Sequence, residues 1–125
     1  PVVERLFDLA RKESHAGRIQ SPGKKRAPVF GFYITRTDSH GDPRTRQVFN
    51  YRVGDPEVRV YLDILETMLP RPEYEKFLDQ LQKLFPNRTN RGLKQPWIPL
   101  GEVAARFDDF RRLVLSLQSD IDSVP

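Results

Sequence analysis

A chain of 125 residues is long enough for one domain with its own hydrophobic core. Its residues are 38% hydrophobic and 30% charged, which is ordinary for a globular protein and excludes a wholly disordered tail. The absence of cysteine excludes disulfides and thiolate metal sites. No apolar stretch reaches the roughly 18 residues that span a bilayer, and no segment resembles a signal peptide, so we expect an intracellular protein without membrane contact.

The formal net charge of +4 is unevenly distributed along the chain. Residues 17–54 hold eight basic and two acidic residues, and residues 86–101 hold three basic residues and no acid. The remaining segments are therefore acidic overall. This asymmetry indicates a basic surface suited to an acidic partner, whether protein or nucleic acid. Because the first residue is Pro1 and not Met, we also expect residues 1–125 to be a single interaction domain excised from a larger protein.

The first predicted element is an amphipathic helix over residues 2–14, in which Val2, Leu6 and Leu9 share one face. Residues 17–28 follow as a predicted flexible basic connector, rich in glycine and proline. The connector carries Lys24-Lys25-Arg26 between prolines, which is similar to a short nuclear-import signal or is simply a basic linker. On the first interpretation, we expect a nuclear rather than a cytoplasmic location.

Two segments rich in aromatic and β-branched residues, 29–37 and 46–53, predict the strands of a β-hairpin around Gly41-Asp42-Pro43. Alternation predicts an apolar inner face made of Phe30, Phe32, Ile34, Phe49, Tyr51 and Val53. It assigns to the outer face Arg46, Val48, Asn50 and Arg52. A hairpin alone is marginally stable in water, so helices must cover its apolar face.

Three further helices are predicted. Asp55-Pro56-Glu57 combines an N-cap acceptor, a proline and an acid, which predicts a helix over residues 56–69. Apolar spacing predicts helices over residues 72–85 and 100–119 as well. The expected fold class is therefore α+β, a β-hairpin packed on about four amphipathic helices.

The sequence holds no arrangement typical of catalysis. His15 and His40 have no nearby nucleophile with an orienting acid, and triads assemble from residues far apart in sequence. Two separate histidines do not make a metal site, and the glycines are isolated rather than grouped in a phosphate-binding turn. We therefore predict no enzymatic activity, no cofactor and no metal.

The helical part carries two apolar runs separated by a proline-marked break. The first is Val60-Tyr61-Leu62-Asp63-Ile64-Leu65 and the second is Glu73-Tyr74-Glu75-Lys76-Phe77-Leu78-Asp79-Gln80-Leu81. Over residues 58–121 this pattern resembles the paired-amphipathic-helix modules of corepressor scaffolds, and more loosely harmonin-homology helical modules. That resemblance implies two antiparallel helices whose cleft receives an amphipathic helix from a partner protein. The segment at residues 29–53 has no counterpart in those modules.

The leading functional hypothesis is thus a non-catalytic protein–protein interaction module, in which an apolar helical groove accepts a partner helix and a basic surface steers an acidic partner. The expected partner-binding residues are Leu62, Leu65, Tyr74, Phe77, Leu81, Phe107 and Phe110. The alternative is a nucleic-acid-binding domain that uses the basic hairpin and the loop over residues 86–97. Its expected contact residues are Arg36, Arg44, Arg46, Arg52, Arg88, Arg91 and Lys94. Self-association through the last helix is a third hypothesis.

Overall fold

The computed structural model describes residues 2–13, 18–20, 29–37, 39–89 and 94–122, with only the backbone for residues 12, 13 and 18–20. The chain begins with helix α1, Val2–Asp8, which continues as wider π-helical turns over Leu9–Glu13. The strands are β1 Arg18–Gln20, β2 Val29–Thr37, β3 Pro43–Arg52, β4 Glu57–Val60 and β5 Trp97–Pro99. The other helices are α2 Leu62–Met68, α3 Arg71–Leu84, α4 Leu100–Ala105 and α5 Phe107–Asp122. The fold class is α+β, as the sequence predicts.

Within the described residues the strands form one antiparallel sheet in the order β1-β2-β3-β4-β5. The predicted hairpin is its centre, with Phe30 opposite Tyr51 and Phe32 opposite Phe49. These four side chains are buried together with Ile34, so the predicted inner face is confirmed for them. The second strand begins at Pro43, three residues earlier than predicted, because the strands remain paired up to Thr37 and Pro43.

A β-bulge in β3 changes which residues face the core. Phe32 lies opposite Phe49 and the next residue, Tyr33, lies opposite Gln47, so Val48 is the extra residue. Val48 and Phe49 are therefore both buried, and the prediction that Val48 lies on the outer face is wrong. Val53, predicted to face inward, is instead exposed in the turn after β3. Arg46, also predicted on the outer face, lies opposite the buried Ile34 and therefore shares the inner face. Strict alternation fails at these three positions because it assumes a continuous strand without a bulge.

The segment predicted to begin a helix at residue 56 is a strand instead. The backbone N–H of Asp55 donates to the carbonyl of Arg52 at 2.9 Å, and Gly54 has a φ of +97°. This closes a β-turn in which glycine supplies the positive φ, and the chain returns antiparallel to β3. The hydroxyl of Tyr51 fixes the turn by donating to the Asp55 carbonyl. The helix forms only from Leu62.

Tertiary pairing explains why the N-cap pattern loses to the strand. Val58 and Val60 are fully buried and alternate with the outward-facing Arg59. Strand β4 also pairs on both edges, with β3 at Phe49 and with β5 at Ile98. The backbone hydrogen bonds on both edges of β4 and the burial of two valines stabilise the strand. Together they outweigh the tendency of Asp55-Pro56-Glu57 to start a helix.

The other helices follow their predicted ranges closely, except that the last one is broken. Helix α3 begins and ends one residue before the predicted range. The segment predicted as one helix over residues 100–119 divides at Arg106, where the backbone has φ −122° and ψ +24°. The N–H of Arg106 still donates to the carbonyls of Glu102 and Val103, so the break is a bend between α4 and α5.

An aromatic chain runs through the core between the sheet and the helices. Phe49 of the sheet stacks on Phe32 at 6.0 Å and contacts Phe110 of α5 at 5.3 Å, and Phe110 contacts Phe85 at 6.1 Å. Such ring pairs add about 0.5–1.5 kcal/mol each beyond their buried area. The apolar seam of the last helix thus packs against this chain's own sheet.

The free edge of β2 is closed by a side chain. Beyond its pairing with β1, β2 exposes backbone groups that would otherwise lack partners. The amide of Gln118, on α5, accepts from the Thr35 N–H at 2.9 Å and donates to the Thr35 carbonyl at 3.0 Å. The Gln118 amide therefore makes the two hydrogen bonds that a neighbouring strand would make with Thr35, and these bonds connect α5 to the sheet.

Part of the predicted basic connector is ordered secondary structure. Arg18–Gln20 form β1 and pair with residues 29–31 of β2, whereas the sequence predicts a connector without structure there. The rest of that connector, including Lys24-Lys25-Arg26, lies outside the described residues. No helix in the described ranges has the length and apolar character needed to cross a membrane.

Candidate anion-binding site

The seven residues expected to contact a partner helix lie in the core. The most exposed of them is Tyr74, at 7%, and Leu65, Leu81 and Phe110 are fully buried. Their apolar stripes cover the inner face of the sheet and each other, so they present no open cleft. In addition, the first helix that the resemblance to paired-amphipathic-helix modules implies begins at Leu62, because Val58 and Val60 belong to β4. A binding groove formed by these seven residues is therefore not supported.

Three of the basic residues expected to contact nucleic acid are brought together at the end of the hairpin. Arg36 lies opposite Arg44, and Arg46 lies opposite Ile34. Since directly opposed residues and alternate residues of a strand share a face, the three arginines project from one side of the sheet. They surround a cavity of about 350 Å³ between the hairpin and the end of α2.

Hydroxyl groups complete the lining of this cavity, which we call the arginine pocket. Its described lining residues are Arg36, Thr37, Ser39, Arg44, Arg46, Thr67 and Met68. No acidic residue occurs among them. The hydroxyl of Thr67 donates to the Ile64 carbonyl at 2.7 Å, which leaves its oxygen as an acceptor toward the pocket.

Arg36 is the anchored member of the three. Its guanidinium donates to the carbonyl of Met68, the last residue of α2, and the side chain is half-buried. An arginine at a helix C-terminus satisfies a carbonyl that lacks a partner within the helix. Arg44 and Arg46 are exposed, and Arg46 donates to the carbonyl of Thr45 at 2.9 Å. The hairpin is thus fixed to α2 by one arginine and displays the other two.

The chemistry of this pocket favours an anion with several oxygens. Arg36 and Arg44 are directly opposed across β2 and β3, which brings two guanidinium side chains to the same place on the sheet. Guanidinium groups bind carboxylate and phosphate oxygens through paired N–H donors, and arginine stays charged at all physiological pH values. The arginine pocket therefore has the composition of a phosphate site.

The remaining predicted nucleic-acid contacts are dispersed. Arg52 projects from the opposite, outer face of the sheet, where it is exposed. Arg88 is paired with Glu102 at 3.0 Å, and Lys94 is exposed beside the start of α2. Arg91 lies outside the described residues. Of these residues, the described ones, Arg52, Arg88 and Lys94, lie apart from the three arginines of the pocket.

An aromatic and polar group on the outer face of the sheet is not identified by the sequence analysis. Arg59 of β4 lies opposite Trp97 of β5, and its guanidinium carbon is 4.0 Å from the centroid of the tryptophan ring. Asn50, opposite Arg59 on β3, donates to the hydroxyl of Tyr61 at 2.9 Å. The alternation of Val58 and Val60 with Arg59 and Tyr61 is the signal that would have placed them here, but the helix prediction masked it.

A second groove lies between α3 and α5, with a volume of about 410 Å³. The partly buried Leu84 and the buried Leu113 contribute its apolar surface. Its charged lining residues are Lys76, Lys83, Arg112 and Asp109. Asp109 and Arg112 pair at 3.6 Å, which leaves two lysines as the excess charge.

No group of three or more histidine, cysteine or acidic side chains with the spacing of a metal site occurs among the described residues. His40 lies exposed in the turn of the hairpin. Comparisons of the chain with family models, with curated proteins and with solved structures gave no match.

Proposed function

We propose that this domain binds nucleic acid and that the arginine pocket holds a backbone phosphate. The observation that carries the proposal is the convergence of Arg36, Arg44 and Arg46 on one cavity whose described lining adds hydroxyls and no acid. Phosphate contacts of this kind supply most of the affinity of proteins that bind nucleic acid without sequence preference. The overall charge of +4 favours the same class of ligand.

The burial of the residues predicted to contact a partner helix also favours nucleic-acid binding. A partner helix would need Phe77, Leu81 and Phe110 accessible, and each is at most 2% exposed. The pocket arginines, in contrast, have exposed members and require no rearrangement of the core. Of the two hypotheses drawn from the sequence, binding of nucleic acid is the one whose proposed contacts can be reached.

A protein-interaction module remains the second candidate, at a different place from the predicted one. The groove between α3 and α5 combines apolar surface from Leu84 and Leu113 with the lysines Lys76 and Lys83. That combination favours an amphipathic helix with an acidic edge, in a helix-in-groove mode. This candidate and the first use separate residues, so they can be tested against each other.

The experiment neutralises two pocket arginines, Arg44→Gln with Arg46→Gln, and leaves Arg36 in place because it binds the Met68 carbonyl. Affinity for a fluorescent oligonucleotide is measured between about 50 and 200 mM salt. We expect the double variant to bind about ten- to a hundredfold more weakly, and the slope of log K against log salt to decrease by about two units, one for each lost phosphate contact.

The matched control is Lys76→Gln with Lys83→Gln, which removes the same charge from the other groove. We expect this variant to bind the oligonucleotide with a nearly unchanged salt slope. If both variants lose equal affinity, binding depends on net charge and not on the arginine pocket. If neither the protein nor the variants bind nucleic acid, and only the lysine variant loses an acidic helical peptide, the second candidate is correct.

A further inference from the structure

The outer face of the sheet holds a side-chain arrangement that the arginine pocket does not use. Trp97 lies on the edge strand β5 and is 41% exposed. Only Val53, in a turn, is a comparably exposed large apolar side chain among the described residues. A single exposed apolar residue is common on protein surfaces, so its exposure alone carries no function. The side chains around Trp97 provide the evidence for a binding site.

Arg59 lies against the aromatic rings of Trp97 and Tyr61 and, in the described structure, has no acidic partner. Its guanidinium carbon lies 4.0 Å from the Trp97 ring centroid and 5.9 Å from that of Tyr61. Its Nε is buried and has no acceptor, and in the described structure Arg59 forms no ion pair. Glu57, the acidic residue on the same face of β4, does not pair with it either. Buried N–H groups without an acceptor are rare in folded proteins, so this one needs an explanation.

The polar groups beside this pair are also positioned by hydrogen bonds. Asn50 donates from its Nδ2 to the Tyr61 hydroxyl at 2.9 Å, and this orients the amide with its oxygen as an acceptor. Arg52 lies two residues further along β3 on the same face and is exposed. An oriented amide and arginine N–H groups are the donors and acceptors that recognise the edges of nucleobases.

These residues form what we call the aromatic platform, consisting of Trp97, Arg59, Tyr61 and Asn50. In it the Arg59 guanidinium lies over the Trp97 ring, and Trp97 is 41% exposed, so an accessible aromatic residue stands next to positive charge. Aromatic side chains on a sheet, combined with arginine, are the means by which proteins stack the bases of single strands. In a duplex the bases are paired and stacked on each other, so such a surface has no access to them.

We propose that the aromatic platform stacks an unpaired nucleobase, which makes the ligand of this domain a single strand and not a duplex. This inference rests on the proposed function, because it requires that nucleic acid is the ligand. It adds a second site on the opposite face of the sheet from the arginine pocket, with a different chemistry. The pocket contributes charge, which depends on salt, and the platform contributes stacking, which does not.

Trp97 is the only tryptophan of the chain, so its fluorescence reports this site directly. Oligothymidine and a duplex of equal length are titrated into the protein at about 50 mM salt. We expect saturable quenching with oligothymidine and little with the duplex. Trp97→Leu has no tryptophan, so its binding is measured by the anisotropy of labelled oligothymidine. We expect it to bind about five- to a hundredfold more weakly, the ratio that one lost base stack produces, with an unchanged salt slope.

Two further variants separate stacking from other causes. Val53→Ala, which truncates the other exposed apolar side chain, should bind as the parent protein does. Arg59→Lys keeps the charge but loses the planar group over the ring, and we expect it to bind oligothymidine more weakly without a change in salt slope. Thermal melting of each variant shows whether it is folded at the temperature of the titration.

The outcomes distinguish this inference from the proposed function. If oligothymidine binds without quenching and Trp97→Leu binds as the parent does, the platform is not a base site, while phosphate binding at the arginine pocket still stands. If the duplex binds as tightly as the single strand, with equal quenching, the preference for single strands is wrong. If neither binds but a proline-rich peptide quenches Trp97, both proposals are wrong and the platform is a protein-binding surface.

Discussion

Gly31 lies where two strands of the sheet approach each other closely. A Cβ atom at this position would lie 2.5 Å from the Gln47 Nε2 and 2.7 Å from the Phe49 carbonyl oxygen. The side chain could move, but the carbonyl belongs to the backbone of β3 next to the bulge at Val48. Since the Gln47 amide also donates to the Tyr33 hydroxyl at 3.1 Å, the space above Gly31 is already occupied by a bonded group.

We therefore expect Gly31→Ala to lower the free energy of unfolding by about 1–3 kcal/mol, the usual cost of inserting a methyl group into a packed site. Urea unfolding measures it. The control is Gly101→Ala, because the added methyl at Gly101 meets no atom within 4 Å and glycine is a poor helix former. That variant should be neutral or slightly more stable. An equally destabilised control would mean that the close approach at Gly31 is not the cause.

Phe77 tests whether the predicted partner contacts are core residues. It is 2% exposed on α3, where it belongs to the hydrophobic core. We expect Phe77→Ala to cost about 3–5 kcal/mol of stability, because it removes buried apolar surface and leaves a cavity. Thermal or urea unfolding checks this. A melting temperature close to that of the parent protein would contradict the burial of Phe77 and would revive the helical groove as a binding site.

At the scale of elements, the hydrogen bonds described between α5 and β2 come from a single side chain. Gln118 accepts from the Thr35 N–H and donates to its carbonyl, and it also donates to the Asp122 carboxylate at 2.9 Å. Beyond β1, this amide takes the place of a neighbouring strand for one residue of β2. The remaining contact between α5 and the sheet is apolar and has no directional preference of its own.

We expect Gln118→Ala to destabilise the domain by about 1–3 kcal/mol, because the partly buried backbone groups of Thr35 lose their partners. Hydrogen exchange at the Thr35 amide should increase by more than exchange elsewhere in β2. Gln80→Ala, an exposed glutamine on α3, removes the same side chain without such contacts and should be nearly neutral. Equal effects of the two variants would show that the Gln118 bonds do not stabilise the sheet edge.

For the whole molecule, the bent pair of helices α4 and α5, together with α1, α2 and α3, packs on one face of the sheet, and the side chains described on the other face are largely polar and aromatic. The arginine pocket lies on the covered side, where the hairpin extends past the helices to the end of α2. The aromatic platform lies on the opposite face of the sheet, across β3, β4 and β5. Two chemically different surfaces therefore result from one sheet, and they share no residue.

Several features of this protein follow from local patterns in the sequence. The alternation of Phe30, Phe32 and Ile34 determined the inner face of β2, and three-to-four spacing determined the buried stripe of α3. Both patterns are reliable because burial against any partner requires the same period. The composition likewise indicated a basic hairpin, since three arginines fall within residues 36–46.

The tertiary structure decided what these patterns could not. Whether residues 57–60 are helix or strand depends on β3 and β5, which lie on either side of β4 and come from distant parts of the chain. The bulge at Val48 reverses the alternation that the sequence implies. The apolar residues from Leu62 to Phe110 would show the same spacing whether they lined an open groove or a closed core. Hydrophobic periodicity specifies that a helix face is buried, but not which partner buries it. Only the packed sheet determined that these residues are core, and that Arg59 and Trp97 meet.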